Sequence, residues 1–272
     1  GIHISKELRE KWIKFYEERG HVNIGAVSLI GDGTTGVMFN VAGMQPLMPY
    51  LLGKTHPMGK RLCNVQGCVR TVDIESVGDA THFTFFEMMG NWSFGDYFKE
   101  GAIEMSWELL TQVFGLDPNR IVVTTHYSDD EAVKIWKKVA GKDAILLGDK
   151  DNWWSAGDTG PCGPCTEMHY DMGADLPGGL PGSADEDGGR WVEIWNDVFM
   201  QYNRDANGNL SPLPKQNVDT GAGLERFASI LQGKTDNYDT DLTKKLFNKS
   251  LVLNIIFTSV FKLKSVICRF HT

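Results

Sequence analysis

The sequence predicts a mixed α/β domain, and three observations lead there. Apolar residues recur at helical spacing in three separate stretches, β-branched runs lie between them, and 272 residues with 42% apolar and 23% charged side chains can bury one large core.

The first element is an amphipathic helix with both ends marked: Ser5 precedes Leu8, Trp12, Phe15 and Tyr16, and Gly20 lies just beyond. Ile103, Trp107, Leu110 and Phe114 predict a second helix, and Ala132, Ile135, Trp136 and Val139 a third. Ser128 and Glu131 form a capping box for the third, and Gly141 is placed to end it. Strands are expected at 121–125, 144–147 and 191–203, while the Gly- and Pro-rich acidic stretch 173–189 reads as a surface loop. Along 191–203 the even positions are Val192, Ile194, Asn196, Val198, Met200 and Tyr202, a single amide on an apolar face. Leaving that amide unpaired costs about 1–3 kcal/mol, so it is either a core Asn bonded to backbone or a ligand-facing group between apolar walls.

The net charge of −8 excludes a protein whose affinity comes mainly from neutralising phosphates. Five cysteines without a framework and a charged amphipathic N-terminus in place of a secretory signal predict a reducing, cytoplasmic setting. No apolar run reaches the roughly 18 residues of a spanning helix, so no membrane partner is expected. One break stands out. Residues 243–272 carry six Lys or Arg and no Asp or Glu, whereas residues 1–242 carry 21 basic against 35 acidic, or −14. We therefore expect a domain over 1–242 and an atypical basic tail over 243–272, a product of truncation or frameshift, with a short terminal helix as the plainer alternative.

Chemistry enters near the end of the domain. Val218-Asp219-Thr220-Gly221-Ala222-Gly223-Leu224-Glu225-Arg226 sets a carboxylate and two glycines at a strand-to-helix junction, followed by the stripe Leu224, Phe227, Ala228 and Leu231 and a closing Gly233. Glycines let a ligand approach the backbone, and a helix start favours anions. A plain capped helix explains much of the same pattern. Cys162-Gly-Pro-Cys165 lacks the second ligand pair that tetrahedral zinc needs, so no zinc is predicted.

Cys68-Val69-Arg70, the run from His82-Phe83-Thr84-Phe85-Phe86-Glu87-Met88 to Lys99, Gly157-Asp158-Thr159-Gly160-Pro161-Cys162-Gly163-Pro164-Cys165-Thr166-Glu167, Trp195-Asn196-Asp197-Val198-Phe199-Met200-Gln201 and the block from Asp219 to Arg226 together resemble the alanine–tRNA ligase family of class II aminoacyl-tRNA synthetases. The resemblance covers roughly residues 2–242.

The resemblance implies the class II fold, an antiparallel sheet flanked by helices. It implies ATP and alanine as substrates, with Mg²⁺ assisting, and alanine tRNA as acceptor. Arg70 and Arg226 are then catalytic. Arg70 bridges the α-phosphate and the alanine carboxylate, Arg226 holds the far side of ATP, and His82, Phe86 and Met88 complete the ATP site with Phe86 stacked on adenine. Met44, Trp154, Asn196, Val198, Asp219 and Gly221 form the alanine site, where Asp219 grips the ammonium and Trp154 and Val198 wall a pocket for one methyl. Joining a carboxylate to a phosphate needs positioning and positive charge more than an acid–base residue, and bidentate arginine suits both partners. The chain departs from many relatives in two places: the loop after Arg70 is shorter and lacks a lysine, and His82-Phe83 stands where paired histidines are common. Complete relatives continue into tRNA-recognition and editing domains, so weak tRNA binding is expected of this length of chain. Two rivals remain at this stage, a noncatalytic synthetase-like module and another adenylating ligase with a wider pocket.

Overall fold

The computed structural model describes residues 2–26, 47–71 and 83–233, with the side chains of 2–3, 69–71 and 83–85 left aside. Its elements in chain order are α1 (Ile2–Glu17), β1 (Val22–Asn23), α2 (Met48–Leu51), β2 (Arg61–Thr71), β3 (Phe83–Phe94), α3 (Lys99–Glu108), β4 (Ile121–His126), α4 (Asp130–Ala140), β5 (Ile145–Leu147), α5 (Asp149–Asn152), β6 (Trp153–Ser155), β7 (Gly160–Asp171), β8 (Trp191–Arg204), β9 (Leu210–Gly223) and α6 (Leu224–Leu231). The strands form one sheet in the order β1-β2-β3-β9-β8-β7-β4-β5, with β6 added to β7. The central pairs are antiparallel, and only the edge pairs β1–β2 and β4–β5 are parallel. The expectation of an antiparallel sheet flanked by helices holds.

Alternation along the strands gives the sheet two unlike faces. Cys63, Met89, Trp195, Phe199, Val218 and Ala222 face the larger core, where Leu8, Trp12 and Tyr16 of α1, Ile103 of α3, Ile135 and Trp136 of α4 and Phe227 of α6 cover them. Each large apolar side chain sealed there contributes roughly 1.5–3 kcal/mol. Leu62, Trp92, Cys165, Val198 and Met200 face the other way, into a smaller cluster closed by Leu47, Leu51 and the half-buried Trp154. That second face carries polar and glycine positions beside this cluster, and it carries the candidate site.

Several local expectations need correction. Ser5 does not start the first helix, because α1 already runs from Ile2 and the apolar stripe extends back through Ile4 onto the core, leaving Ser5 buried inside it. The cap of α4 is Asp129, whose carboxylate accepts from the Ala132 amide at 3.2 Å, while Ser128 is drawn to His126 at 2.7 Å. Gly141 does end α4, in the left-handed conformation at φ +66°. The stripe from Ile103 to Phe114 is not one α-helix: α3 gives way to a π turn over Leu109–Val113, which keeps Leu109, Leu110 and Phe114 on the core. The even face predicted for 191–203 is also broken. Met168 pairs Trp195 but His169 pairs Glu193, so Ile194 is the extra residue of a bulge and joins the larger core beside Trp195. Met44, His82 and the tail 243–272 lie outside the described residues.

Candidate active site

Two rows of directly paired residues cross this second face. One runs Leu62, Trp92, Asp219, Val198, Cys165 over β2, β3, β9, β8 and β7, and the next runs Asn64, Gly90, Gly221, Asn196, Glu167 over the same strands. A third begins Gln66, Met88, Gly223. Directly opposed residues share a face, so Gly90, Gly221 and Gly223 make a floor without side chains, bounded by Trp92 and Asp219 on one side and Asn196 and Glu167 on another.

Neighbouring side chains lean over this floor. A Cβ on Gly90 would stand 2.5 Å from the Trp92 ring, one on Gly221 would stand 2.6 Å from the Met88 methyl, and one on Gly223 would touch the aliphatic stem of Arg226 at 3.8 Å. Trp92 is fully buried, whereas Met88 is half-buried and Arg226 exposed. The floor thus has one fixed wall and two movable covers.

The polar groups around it are in unusual states. Asp219 is buried, and desolvation pushes its carboxyl up to about 7, with the adjacent Trp92 indole pulling the other way. Asn196 has a side-chain oxygen that is sealed from water and accepts no hydrogen bond among the described residues. Glu167 is pushed up to about 10, first by burial and then by the hydrogen bond and charge of Glu193, with Asp151 and Glu186 adding to it. His169, 3.7 Å from Glu167, is lowered by burial. On α6, Arg226 donates to the Glu193 backbone carbonyl at 2.5 Å, and Glu225 accepts from the Glu87 amide at 2.8 Å. The α6 stripe leaves Arg226 outside because Leu224, Phe227 and Ala228 hold the helix on the core.

Of the residues singled out in the sequence, the fold brings Asn196, Val198, Asp219 and Gly221 onto adjoining strands, with Trp154 packed against the Val198 cluster. Phe86 and Met88 follow on β3 toward the end where β2 carries Arg70, which is placed by its backbone opposite Thr84. Arg226 stands at the Gly223 end of the floor. Sequence reasoning gave no role to Trp92, Glu167 or Glu193. Trp92 and Glu167 lay inside the quoted blocks, and only cross-strand register shows that they flank Asp219 and Asn196. Cys162 and Cys165 are buried free thiols, both raised by burial, on either side of a register shift where β8 carries one residue more than β7.

Residues 7–256 match the family model described as tRNA synthetases class II (A). The chain is 49% identical over 255 residues to an alanine–tRNA ligase of Magnetococcus marinus, covering 91% of this chain and 29% of that one. It is 50% identical over 248 residues to an alanine–tRNA ligase of Prochlorococcus marinus subsp. pastoris, covering 90% and 28%. The chain therefore spans less than a third of the length of these relatives. Among solved structures, apo histidyl-tRNA synthetase of S. aureus superposes with a TM-score of 0.53 at 10% identity, over 87% of this chain and 68% of that one, a likeness of fold.

Proposed function

The chain belongs to the class II (A) tRNA synthetases, and on that premise we propose that it activates alanine with ATP, forming alanyl-adenylate and pyrophosphate, and that the longer protein of which its relatives are examples passes alanine to tRNA. The observation that carries this reading is the glycine floor, with an acceptor pair, Asp219 and Asn196, at one end and Arg226 at the other.

In this reading Asp219 ionises against the alanine ammonium, and the free Asn196 oxygen accepts a second N–H from it, which supplies the partner that this buried atom lacks. Trp154 and Val198 enclose the methyl, with Met44 adjoining, and Gly221 gives the substrate backbone close approach. Arg70 bridges carboxylate and α-phosphate, Arg226 takes the far phosphates, Phe86 stacks on adenine, and His82 and Met88 complete the nucleotide site. The reaction brings together two anions, so fixed cations and alignment supply the rate.

In this reading Glu167 and Glu193 would hold Mg²⁺. The neighbouring Glu193 carboxyl raises Glu167, and the two make an all-oxygen donor pair whose repulsion a divalent ion would relieve; Mg²⁺ commonly takes one or two carboxylates with the rest of its shell from phosphate and water. Bound there, the ion would neutralise charge on the phosphates. Among the described residues no helix is long and apolar enough to cross a membrane.

Alanine-dependent exchange of pyrophosphate into ATP tests the proposal. Exchange with alanine, less with glycine and serine, supports it. The glycine difference is expected at about 1–3 kcal/mol, the worth of one methyl, whereas bulkier side chains are excluded by overlap. No exchange with any amino acid would leave a nucleotide-binding module instead. Charging of alanine tRNA by this length of chain is expected to be weak beside its exchange.

A further inference from the structure

Asp197 lies under the pocket, on the core face of β8, between the two pocket residues Asn196 and Val198 and opposite Thr220, the neighbour of Asp219. It is fully buried. Its carboxyl oxygens lie 3.2 and 2.9 Å from the Ser106 hydroxyl on α3, and that same hydroxyl lies 2.8 Å from the carbonyl oxygen of Ala102, one turn back. A hydroxyl carries one hydrogen. If Ser106 gave it to an ionised Asp197, the Ser106 and Ala102 oxygens would face each other at 2.8 Å with no proton between them. A protonated Asp197 that donates to Ser106 Oγ through its nearer oxygen leaves Ser106 free to donate to Ala102, so the 2.9 Å and the 2.8 Å contacts each hold a proton.

The surroundings agree. The titratable groups that interact with this carboxyl are Tyr16 of α1 and Tyr97 at the approach to α3 and, from the other face of the sheet, Cys165 of β7 and Asp219 of β9, and burial holds both tyrosines and the thiol in their neutral forms. Among the described residues no cation acts on it. Burial raises Asp197 to about 8, with Asp219 pushing further and Ser106 and the Trp195 indole pulling back.

We propose that Asp197 is a positioning residue for amino-acid binding: as a neutral acid it ties β8 to α3, and so fixes the backbone from which Asn196 and Val198 enter the pocket and against which Asp219 is paired. This rests on reading that pocket as the amino-acid site.

The test compares Asp197→Asn, Asp197→Leu and Ser106→Ala. The asparagine amide can donate to Ser106 Oγ from the same place, so its alanine KM in the exchange assay should stay within about twofold of wild type at pH 7, whereas leucine, or the loss of the Ser106 acceptor, should raise it about fivefold, the usual effect of one buried hydrogen bond. The KM for ATP and the kcat should move less. In wild type, alanine KM should climb as pH rises through about 8, where Asp197 gives up its proton, and the asparagine variant should lack that climb. Stability gives a second readout. The folded-state value lies above that of an unfolded Asp, so the stabilisation is complete at low pH and is lost as pH rises toward 8; the Tm of wild type should fall relative to Asp197→Asn across that range. An asparagine variant that behaves like leucine, or parallel pH profiles and Tm curves for wild type and asparagine, would overturn the proposal. If wild type shows no alanine-dependent exchange, the functional reading fails, and the Tm series still decides whether Asp197 is neutral.

Discussion

Trp92 and Asp219 are directly paired across β3 and β9, so the carboxyl stands against an immovable indole on one side and the Val198 side chain on the other. That confinement fixes where an ammonium can be met, and it also raises the carboxyl by desolvation.

A pH dependence follows. With Asp219 at about 7 in the empty site, it carries a proton below that pH and must release it to pair with an ammonium. Alanine KM should therefore rise as pH falls through about 7, approaching tenfold per pH unit below it. Asp219→Asn should remove this acid limb and raise alanine KM about 10- to 100-fold, the loss of a charge-assisted bond. Exchange kinetics from pH 5.5 to 8 would check both; an unchanged limb in the variant would assign it to another group.

Gly221→Ala separates binding from folding. The new methyl would meet the flexible end of Met88 at 2.6 Å, which can swing aside, so the fold should survive with a Tm close to wild type. The floor would nevertheless be occupied. Alanine KM should rise at least about tenfold, as expected when a small site loses its close approach.

Gly163→Ala should do the opposite. Its Cβ would fall 1.7 Å from the Phe199 carbonyl oxygen, backbone against backbone where β7 pairs β8, and neither strand can yield without parting the sheet. A loss of about 3–4 kcal/mol is expected, in the range of severe core overpacking. Urea denaturation would measure it, and a near-neutral result would mean that the bulge in β8 opposite Gly163 can absorb a methyl.

Lys99 and Asp129 form a buried ion pair at 2.8 Å, joining the start of α3 to the cap of α4. Lys99→Met would strand the carboxylate and should cost about 3–5 kcal/mol. Adding Asp129→Asn should recover much of this, since asparagine still caps the Ala132 amide without a charge; denaturant midpoints of the single and double variants would show the coupling.

The α-helical stripes, the Gly141 stop and the junction at Gly223 were legible because each is a local pattern written within one turn or one strand. The isolated amide on an apolar face was legible for the same reason, and Asn196 does lie beside the glycine floor with an oxygen that has no partner among the described residues. What local pattern could not show was competition. Asp129 took the cap from Ser128 because it also answers Lys99, and the bulge at Ile194 arose from pairing with β7, a strand in another stretch of sequence. Likewise Gly90, Asn64 and Glu167 have nothing in their neighbourhoods that names them. Only the register of five strands puts them in one row with Gly221 and Asn196.

The place of β9 has a consequence for how the chain is made. Among the described residues it is the last strand in sequence, yet it sits between β3 and β8 and joins the two halves of the sheet. Until it leaves the ribosome, β3 and β8 each present an unpaired edge with large apolar residues beside it, the situation in which strands capture the wrong partner. Synthesis stopped short of residue 223 would leave two half-sheets and no floor between them, so a nascent chain of this kind should lean on chaperones until its closing strand arrives.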